Sequence, residues 1–308
     1  MSPAVPRRPG YFPGAAYGLA TVLIWAGWMP LTRLAVTTGL EVGDLVALRF
    51  GVAGIVLLPV LLRRGLALRR IGWGGALGLV ALAGAPYNLL AATGLHLAPA
   101  AHGGVLMPGV MPLFVAVLAA VFLAERPNGP RLFGLGLIAA GVLAIAGVDA
   151  LAGGALGLGH AMFLMASLSW AGFTVLMRRF GLDPIHAAAL VSVGSLVGFT
   201  LPWLAWSGGA ALLAAPLGPL VLQGLYQGVL ATVLSLVLYG RTVAILGASG
   251  AAAFGALAPA LAALAAIPIL GEVPTGPDWL GIGLVTLGVY LASGGPLAAR
   301  LFPGRVGA

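Results

Sequence analysis

The chain has no cysteine and no lysine, and it carries little charge of either sign. Without cysteine there is no disulfide framework and no thiolate to hold a metal or run a redox reaction. All 15 basic residues are arginine, against 7 acidic ones, and charged residues fill only 7% of 308 positions. A water-soluble surface is roughly a quarter or more charged, so this composition excludes a soluble globule. A nucleophile–base pair, a metal-ligand cluster and a phosphate loop are missing as well, so no enzymatic activity and no cofactor are expected.

What is present is long and apolar. Hydrophobic residues make up 61% of the chain and the mean hydropathy is +1.10, as in an integral membrane protein. A net charge of +8 would suggest nucleic acid in a soluble protein. Here the arginines fall between apolar runs, so the expected partner is the lipid bilayer and not nucleic acid. Ten runs reach the roughly 20 residues that a membrane helix needs. They cover about 13–34, 43–62, 73–95, 101–123, 131–148, 156–178, 185–205, 217–240, 248–270 and 277–294. No alternating strand pattern occurs, so the spans are read as helices, an all-α integral membrane fold. The first run, from Gly14 to Leu34, is too long for the core of a signal peptide and is expected to be retained. With the N-terminus inside, 13 of 15 arginines collect on the cytoplasmic side: Arg7, Arg8, Arg63, Arg64, Arg69, Arg70, Arg126, Arg131, Arg178, Arg179, Arg241, Arg300 and Arg305. Arg33 alone lies outside, and Arg49 falls inside the second span. Both termini are therefore expected in the cytoplasm. Trp73, Trp203, Trp206 and Trp279 sit near span ends, where interfacial tryptophans belong.

The sequence repeats itself. At a shift of 147, "ERPNGPRLFGLGLIAAGV" (Glu125–Val142) lies over "EVPTGPDWLGIGLVTLGV" (Glu272–Val289) with nine of 18 positions identical. The same shift pairs Pro112 with Pro259, and a shift of 145 lays "WAGWMPLTR" from Trp25 over "WAGFTVLMR" from Trp170. The chain therefore reads as two copies of a five-span unit, residues 1–148 and 149–308. Five is odd, so the second copy runs upside down, the arrangement of secondary transporters with a site between the repeats. Gly247-Ala248-Ser249-Gly250 is similar to the nucleophile motif of rhomboid proteases, which raises an intramembrane serine protease as an alternative. No histidine follows His186 to serve as a base in a later span, and the repeat mate of Ser249 is His102. Ser249 is expected to be a small packing residue.

Two five-span copies, each with a Pro-containing apolar helix followed by Glu and a glycine-patterned helix, carry a resemblance. The segments are "PLFVAVLAAVFLAERP", "PALAALAAIPILGEVP" and "LSWAGFTVLMRR". They resemble the EamA-type transporters of the drug/metabolite transporter superfamily and, within it, the YddG-like bacterial exporters of amino acids. The resemblance implies ten helices around a central cavity in the bacterial inner membrane. It also implies export of small metabolites, amino acids including aromatic and apolar ones, with broad drug efflux as the alternative. Both halves lie in one chain, so a monomer suffices.

Polar groups in a bilayer are costly and mark interiors or pathways. Gln223, Tyr226 and Gln227 stand at i, i+3, i+4, with Ser235 two turns on, and can meet a zwitterion's carboxylate and ammonium. Span 6 aligns His160, Ser167, Trp170 and Thr174; span 1 aligns Thr21, Trp25, Trp28 and Thr32. The repeat mates Trp25 and Trp170 lie mid-span and face either a cavity or plain packing. Tyr87 and Asn88 are the polar pair of span 3, as cavity lining or a structural hydrogen bond; His102 opens span 4, for gating or interfacial solvation. These nine, Trp25, Tyr87, Asn88, His102, His160, Trp170, Gln223, Tyr226 and Gln227, are the candidate substrate-binding residues. Arg49 is expected to snorkel or pair structurally, near Asp44, with carboxylate recognition as the alternative. Glu125 and Glu272 are expected as caps or ion pairs of the helices that follow them, with Arg126 and Arg131 near the first. Pro108, Pro112 and Pro259 are expected to kink spans 4 and 9. No Asp or Glu lies deep in a span, which favours a facilitator or exchanger over a carboxylate-driven proton antiporter, with His102 and His160 left to titrate.

Overall fold

The computed structural model describes residues 11–125, 127–152 and 154–293. Arg7, Arg8, Arg126, Arg300 and Arg305 lie outside the described residues, as does the side chain of Ser249. The first half comprises α1 (Tyr11–Thr38), α2 (Val42–Arg64), α3 (Leu68–Ala83), α4 (Ala85–Leu97), α5 (Ala100–Gly104), a π segment (Val105–Gly109), α6 (Met111–Phe122) and α7 (Gly129–Ala152). The second comprises α8 (Gly154–Phe180), α9 (Pro184–Ser195), a π segment (Leu196–Thr200), α10 (Leu201–Ser207), α11 (Ala210–Ala214) and α12 (Leu217–Gln223). A longer π segment (Gly224–Leu234), α13 (Ser235–Gly255), α14 (Ala258–Leu270) and α15 (Gly276–Ala292) complete it. Among the described residues nine continuous or broken helices are long and apolar enough to cross a membrane. The tenth, α15, has 17 residues, at the short limit of about 17–25 for a span.

Several borders move. The third span starts at Leu68 and breaks at Gly84, one residue into which Pro86 follows as α4 opens. The eighth runs on to Gly247, so Arg241, expected in a loop, sits on helix with its side chain exposed. Gly247 has φ +78 and turns the chain from the eighth span into the ninth, a left-handed corner that glycine alone adopts without strain. The first glycine of the protease-like motif is thus a corner. Pro112 opens α6 and Pro259 opens α14, and Pro108 lies in the first π segment, so the expected interruptions are present. Backbone groups freed by these breaks are taken up by neighbouring hydroxyls. Ser169 Oγ donates to Leu82 O and Ser167 Oγ to Met107 O, both at 2.8 Å, and Ala85 N donates to Ser195 Oγ at 3.0 Å.

Contacts fix the relative direction of the halves. Near the C-terminal end of α1, Arg33 Nη1 donates to Leu95 O at 2.6 Å and to Ala98 O at 2.8 Å. Just past the C-terminal end of α8, Gly181 O accepts from Arg70 Nη2 at 3.0 Å. Residues 68–97 cross once, so the ends of α1 and α8 lie on opposite faces. These helices are repeat mates, and the second copy is therefore inverted. Below, the two faces are the Arg33 end and the Arg178 end.

The inversion axis passes between α7 and α15. A Cβ on Gly134 would lie 2.6 Å from Gly288 O, and one on Gly141 would lie 2.7 Å from Gly281 O. Gly134 and Gly281 are repeat mates, as are Gly141 and Gly288, so each glycine meets the mate of the other. The close antiparallel crossing is what the repeated glycines serve.

Candidate functional site

The polar stripe of span 8 lies where α12 passes into the long π segment, which widens the turn and re-aims its side chains. Gln227, only 1% exposed, is the centre. Its Oε1 accepts from Trp28 Nε1 at 2.5 Å and from Arg49 Nη1 at 2.9 Å. Its Nε2 donates to Thr32 Oγ1 at 2.9 Å and to Gln223 Oε1 at 3.2 Å. Gln223 in turn donates to Leu31 O, and Tyr226 Oη donates to Ile24 O at 2.7 Å. The cluster therefore joins α1 and α2 of the first copy to span 8 of the second.

Arg49 does pair structurally, with Gln227, but Asp44 is not its partner. Asp44 Oδ1 instead accepts from Trp203 Nε1 at 2.9 Å. The Arg49 guanidinium stands 5.7 Å from the Trp28 ring and 5.9 Å from the Phe50 ring, in cation–π range. Among the described residues no carboxylate pairs with it, and its Nε is buried without a hydrogen-bond partner. Tyr87 lies within electrostatic range of that charge. The adjoining Asn88 donates to Gly84 O at 3.0 Å, across the break in span 3, while its Oδ1 is buried with no partner. A guanidinium with an N–H left over has the geometry to take a further hydrogen-bond acceptor.

Trp25 and Trp170 sit in matched settings. Trp25 packs on Tyr239 with centroids 5.2 Å apart, and Trp170 on Tyr87 at 5.0 Å. Each tryptophan thus meets a tyrosine of the opposite copy. The counterpart of Tyr87 by contact is Tyr239, which the residue shift had hidden.

His102 and His160 come together at the Arg33 end. His102 Nδ1 lies 2.8 Å from His160 Nε2, and His102 Nε2 lies 3.1 Å from Asp278 Oδ1. Asp278 Oδ2 meanwhile accepts from Thr275 N at 2.8 Å and Thr275 Oγ1 at 2.7 Å, capping α15. Next to this chain, Glu272 pairs with Arg33 and its Oε2 accepts from Ala100 N at 2.9 Å. At the opposite end Arg178 Nη2 pairs with Glu125 Oε1 at 2.5 Å. Neither glutamate caps its following helix. They are the two halves of a reciprocal cross-copy arrangement, because Arg33 and Arg178 are mates and so are Glu125 and Glu272.

Sequence reasoning left Trp28 and Thr32 as stripe members and missed Asp278 altogether. The stripe held the signal for the first two, one turn on from Trp25. For Asp278 the signal was the Thr275–Asp278 capping pattern, which explains one carboxylate oxygen and leaves the other over. A cleft of about 410 Å³ lined by Ala256, Leu257, Trp279, Ile282 and Tyr290 opens beside α14 and α15.

Comparison with known proteins agrees with this architecture. The chain is 29% identical over 301 residues to a "Probable terminal-alkyne amino-acid exporter" of Streptantibioticus cattleyicolor, covering 91% of this chain and 93% of that protein. It is 27% identical over 246 residues to the "Uncharacterized transporter YwfM" of Bacillus subtilis, covering 78% and 80%. A solved structure described as "Crystal structure of protein" shares the fold with a TM-score of 0.57 at 20% identity, over 94% of this chain and 99% of that one. Residues 12–147 and again 157–294 match the EamA-like transporter family; with the two inverted copies and no enzymatic centre expected, the chain is a multi-pass membrane protein that belongs to that family of transporters.

Proposed function

We propose that the protein exports small amino acids, apolar and aromatic ones included, across the bacterial cytoplasmic membrane by alternating access. In this reading the halves 1–148 and 149–308 rock about the α7–α15 crossing, one chain suffices, and both termini lie in the cytoplasm. The eight described arginines Arg63, Arg64, Arg69, Arg70, Arg131, Arg178, Arg179 and Arg241 would then share the inner side, which supports that orientation. The name of the Streptantibioticus relative supports an amino-acid cargo.

One observation carries the substrate class: Arg49, a membrane-embedded cation with no carboxylate partner among the described residues and an idle buried Nε. A buried charge is strongly unfavourable unless paired, and a substrate carboxylate supplies the pair. Asn88 Oδ1, a buried acceptor on a helix packed against α2, suits the ammonium end. The indole of Trp28 beside the guanidinium suits an apolar or aromatic side chain. A cation in the site disfavours cationic drugs. The test is uptake into proteoliposomes across labelled amino acids, their amides and their decarboxylated amines. Acids are expected to be carried, and amides and amines not. Arg49→Gln is expected to weaken apparent affinity roughly thirtyfold or more, the lower end of about 2–5 kcal/mol for losing one member of a buried charged pair. Equal transport of acids and amides would overturn the reading.

A further inference from the structure

The chain His160–His102–Asp278 is not needed to bind a carboxylate substrate, and among the described residues it is a buried hydrogen-bonded set of titratable side chains at the Arg33 end, separate from the Arg33–Glu272 pair. His102 is 7% exposed, His160 2% and Asp278 9%. His102 belongs to the first copy, whereas His160 and Asp278 belong to α8 and α15 of the second. The chain is therefore a tie between copies, alongside the one made by Arg33 and Glu272.

We propose that this chain is a proton-binding site, with His102 as the acceptor, and that the bound proton holds the Arg33 end closed. The proposal rests on the alternating-access reading for its consequence but not for the binding itself. The 2.8 Å contact between the imidazoles holds a single hydrogen. With both rings neutral, His102 Nε2–H donates to Asp278 and His102 Nδ1 accepts from His160 Nε2–H. When one proton is added, His102 becomes an imidazolium that donates through both nitrogens. His160 Nε2 then accepts, and His160 carries its own hydrogen on Nδ1. No heavy atom has to move, so the same geometry serves both states.

The charged state differs in strength. An imidazolium beside the Asp278 carboxylate makes an ion pair across the copies where the neutral ring makes only a hydrogen bond. Acid on this side therefore stabilises the closed end, and the effect fades as pH rises past the histidine range. The elements around α5 leave the assignment clear. α15 contributes Asp278 and α8 contributes His160. The 271–275 loop contributes Glu272, already paired with Arg33 of α1 and bonded to Ala100 N. α4 contributes His96, bonded through Nδ1 to Val36 O at 2.9 Å; α14 and the π segment after α5 contribute no ionisable group.

Among the described residues the opposite end holds no second histidine–carboxylate pair. Repeat mates of His102 and Asp278 are Ser249 and Arg131, and the mate of His160 at the 145 shift is Ala15. The cross-copy ties there are Arg178–Glu125, His186 Nε2 to Gly65 O at 2.8 Å, and Arg64–Asp183 at 2.5 Å. Burial would raise the Asp183 carboxyl, but hydrogen bonds from His186 N and Arg64 outweigh it and hold the group below its ordinary value. That tie is present above the depressed value and is lost only in stronger acid, below the histidine range. His186 Nε2 meets the Gly65 carbonyl and not a carboxylate, so the ion pair that an added proton creates between the copies lies at the Arg33 end.

The experiment uses the full chain in detergent micelles with ¹⁵N-labelled histidine. Four histidines are present in all, so His96 and His186 serve as internal references. His102 and His160 resonances are expected to move together between about pH 5 and 8. Asp278→Asn, which removes the carboxylate facing the imidazolium, is expected to weaken proton uptake by the chain. The gate is read on Ala101→Cys, in a chain that lacks native cysteine, with a membrane-impermeant maleimide. Rates are taken relative to the same cysteine in His102→Asn, which cancels the thiol's own pH dependence. A proton held ten times more tightly in the closed state slows relative labelling about tenfold on acidification. His102→Gln serves as a second variant if the asparagine form fails to fold. Absence of coupled titration overturns the site, and titration without a labelling change overturns the gate. Failure of amino-acid uptake with titration and labelling intact would sink the cargo reading and leave this one standing.

Discussion

Gln227 holds two donors, Trp28 Nε1 and Arg49 Nη1, on one oxygen, so changing that single group separates packing from recognition. Gln227→Leu removes the acceptor and leaves both buried donors without it. The expected loss of stability is about 1–3 kcal/mol, read as a lower unfolding midpoint in detergent. Gln227→Glu does the opposite to Arg49, because an internal carboxylate now pairs with the guanidinium. Its melting temperature is expected to rise while uptake of carboxylate substrates falls, since the site is filled by the protein itself. If Gln227→Glu transports as the wild type does, Arg49 is not the substrate's partner. Asn88 allows a complementary test of the ammonium end. Asn88→Ala is expected to weaken amino acids about tenfold or more, as for a hydrogen bond to a charged group at about 1.5–3 kcal/mol. Binding of the deaminated acid should not change; equal weakening of both would make Asn88 structural, through its bond to Gly84 O.

At the level of helices, the repeated glycines divide into two kinds that look alike in sequence. Gly141 and Gly134 approach backbone carbonyls of α15 within 2.7 Å of a built Cβ, whereas Gly136 and its mate Gly283 face open space. Gly141→Val is expected to cost about 1–3 kcal/mol from overpacking, and Gly136→Ala to be neutral or stabilising by up to about 1 kcal/mol. Unfolding midpoints of the two variants check this, and equal effects would mean that α7 and α15 do not cross as described. The example marks how far the sequence could be read. Nine identities in 18 positions revealed the repeat, and an odd span count gave its inversion, because both are properties of order along the chain. Which glycine touches backbone depends on helix rotation, which no one-dimensional pattern records. The same holds for span 8. Spacings of three and four placed Gln223, Tyr226 and Gln227 on one face, but the π segment decides that Tyr226 reaches Ile24 O while Gln227 meets Arg49. For Arg49 the depth in span 2 was visible, but the glutamine that faces it from the other copy was not.

For the molecule as a whole, inversion symmetry should exchange the two ends during transport, and the two reciprocal ion pairs are where that exchange can be measured. Arg33–Glu272 has side chains 19% and 23% exposed and is backed by bonds to Leu95 O, Ala98 O and Ala100 N. Arg178–Glu125 has side chains 45% and 39% exposed. In the conformation described, then, the Arg33 end is the more tightly held. Exposed pairs contribute about 0–1 kcal/mol, whereas hydrogen bonds to partly buried charges reach about 1.5–3 kcal/mol. Glu272→Gln should therefore shift the protein toward opening at the Arg33 end by on the order of tenfold or more, and Glu125→Gln should act at the other end by about fivefold at most. Two single cysteines report the outcome. Ala101→Cys lies beside His102, and Val175→Cys lies one turn before Arg178, buried at 5%. Glu272→Gln should speed labelling at position 101 and slow it at 175, because opening one end closes the other. Glu125→Gln should do the reverse, more weakly. Faster labelling at both positions in either variant would mean local fraying in place of a rocking motion, and the two halves would then not alternate about the α7–α15 axis.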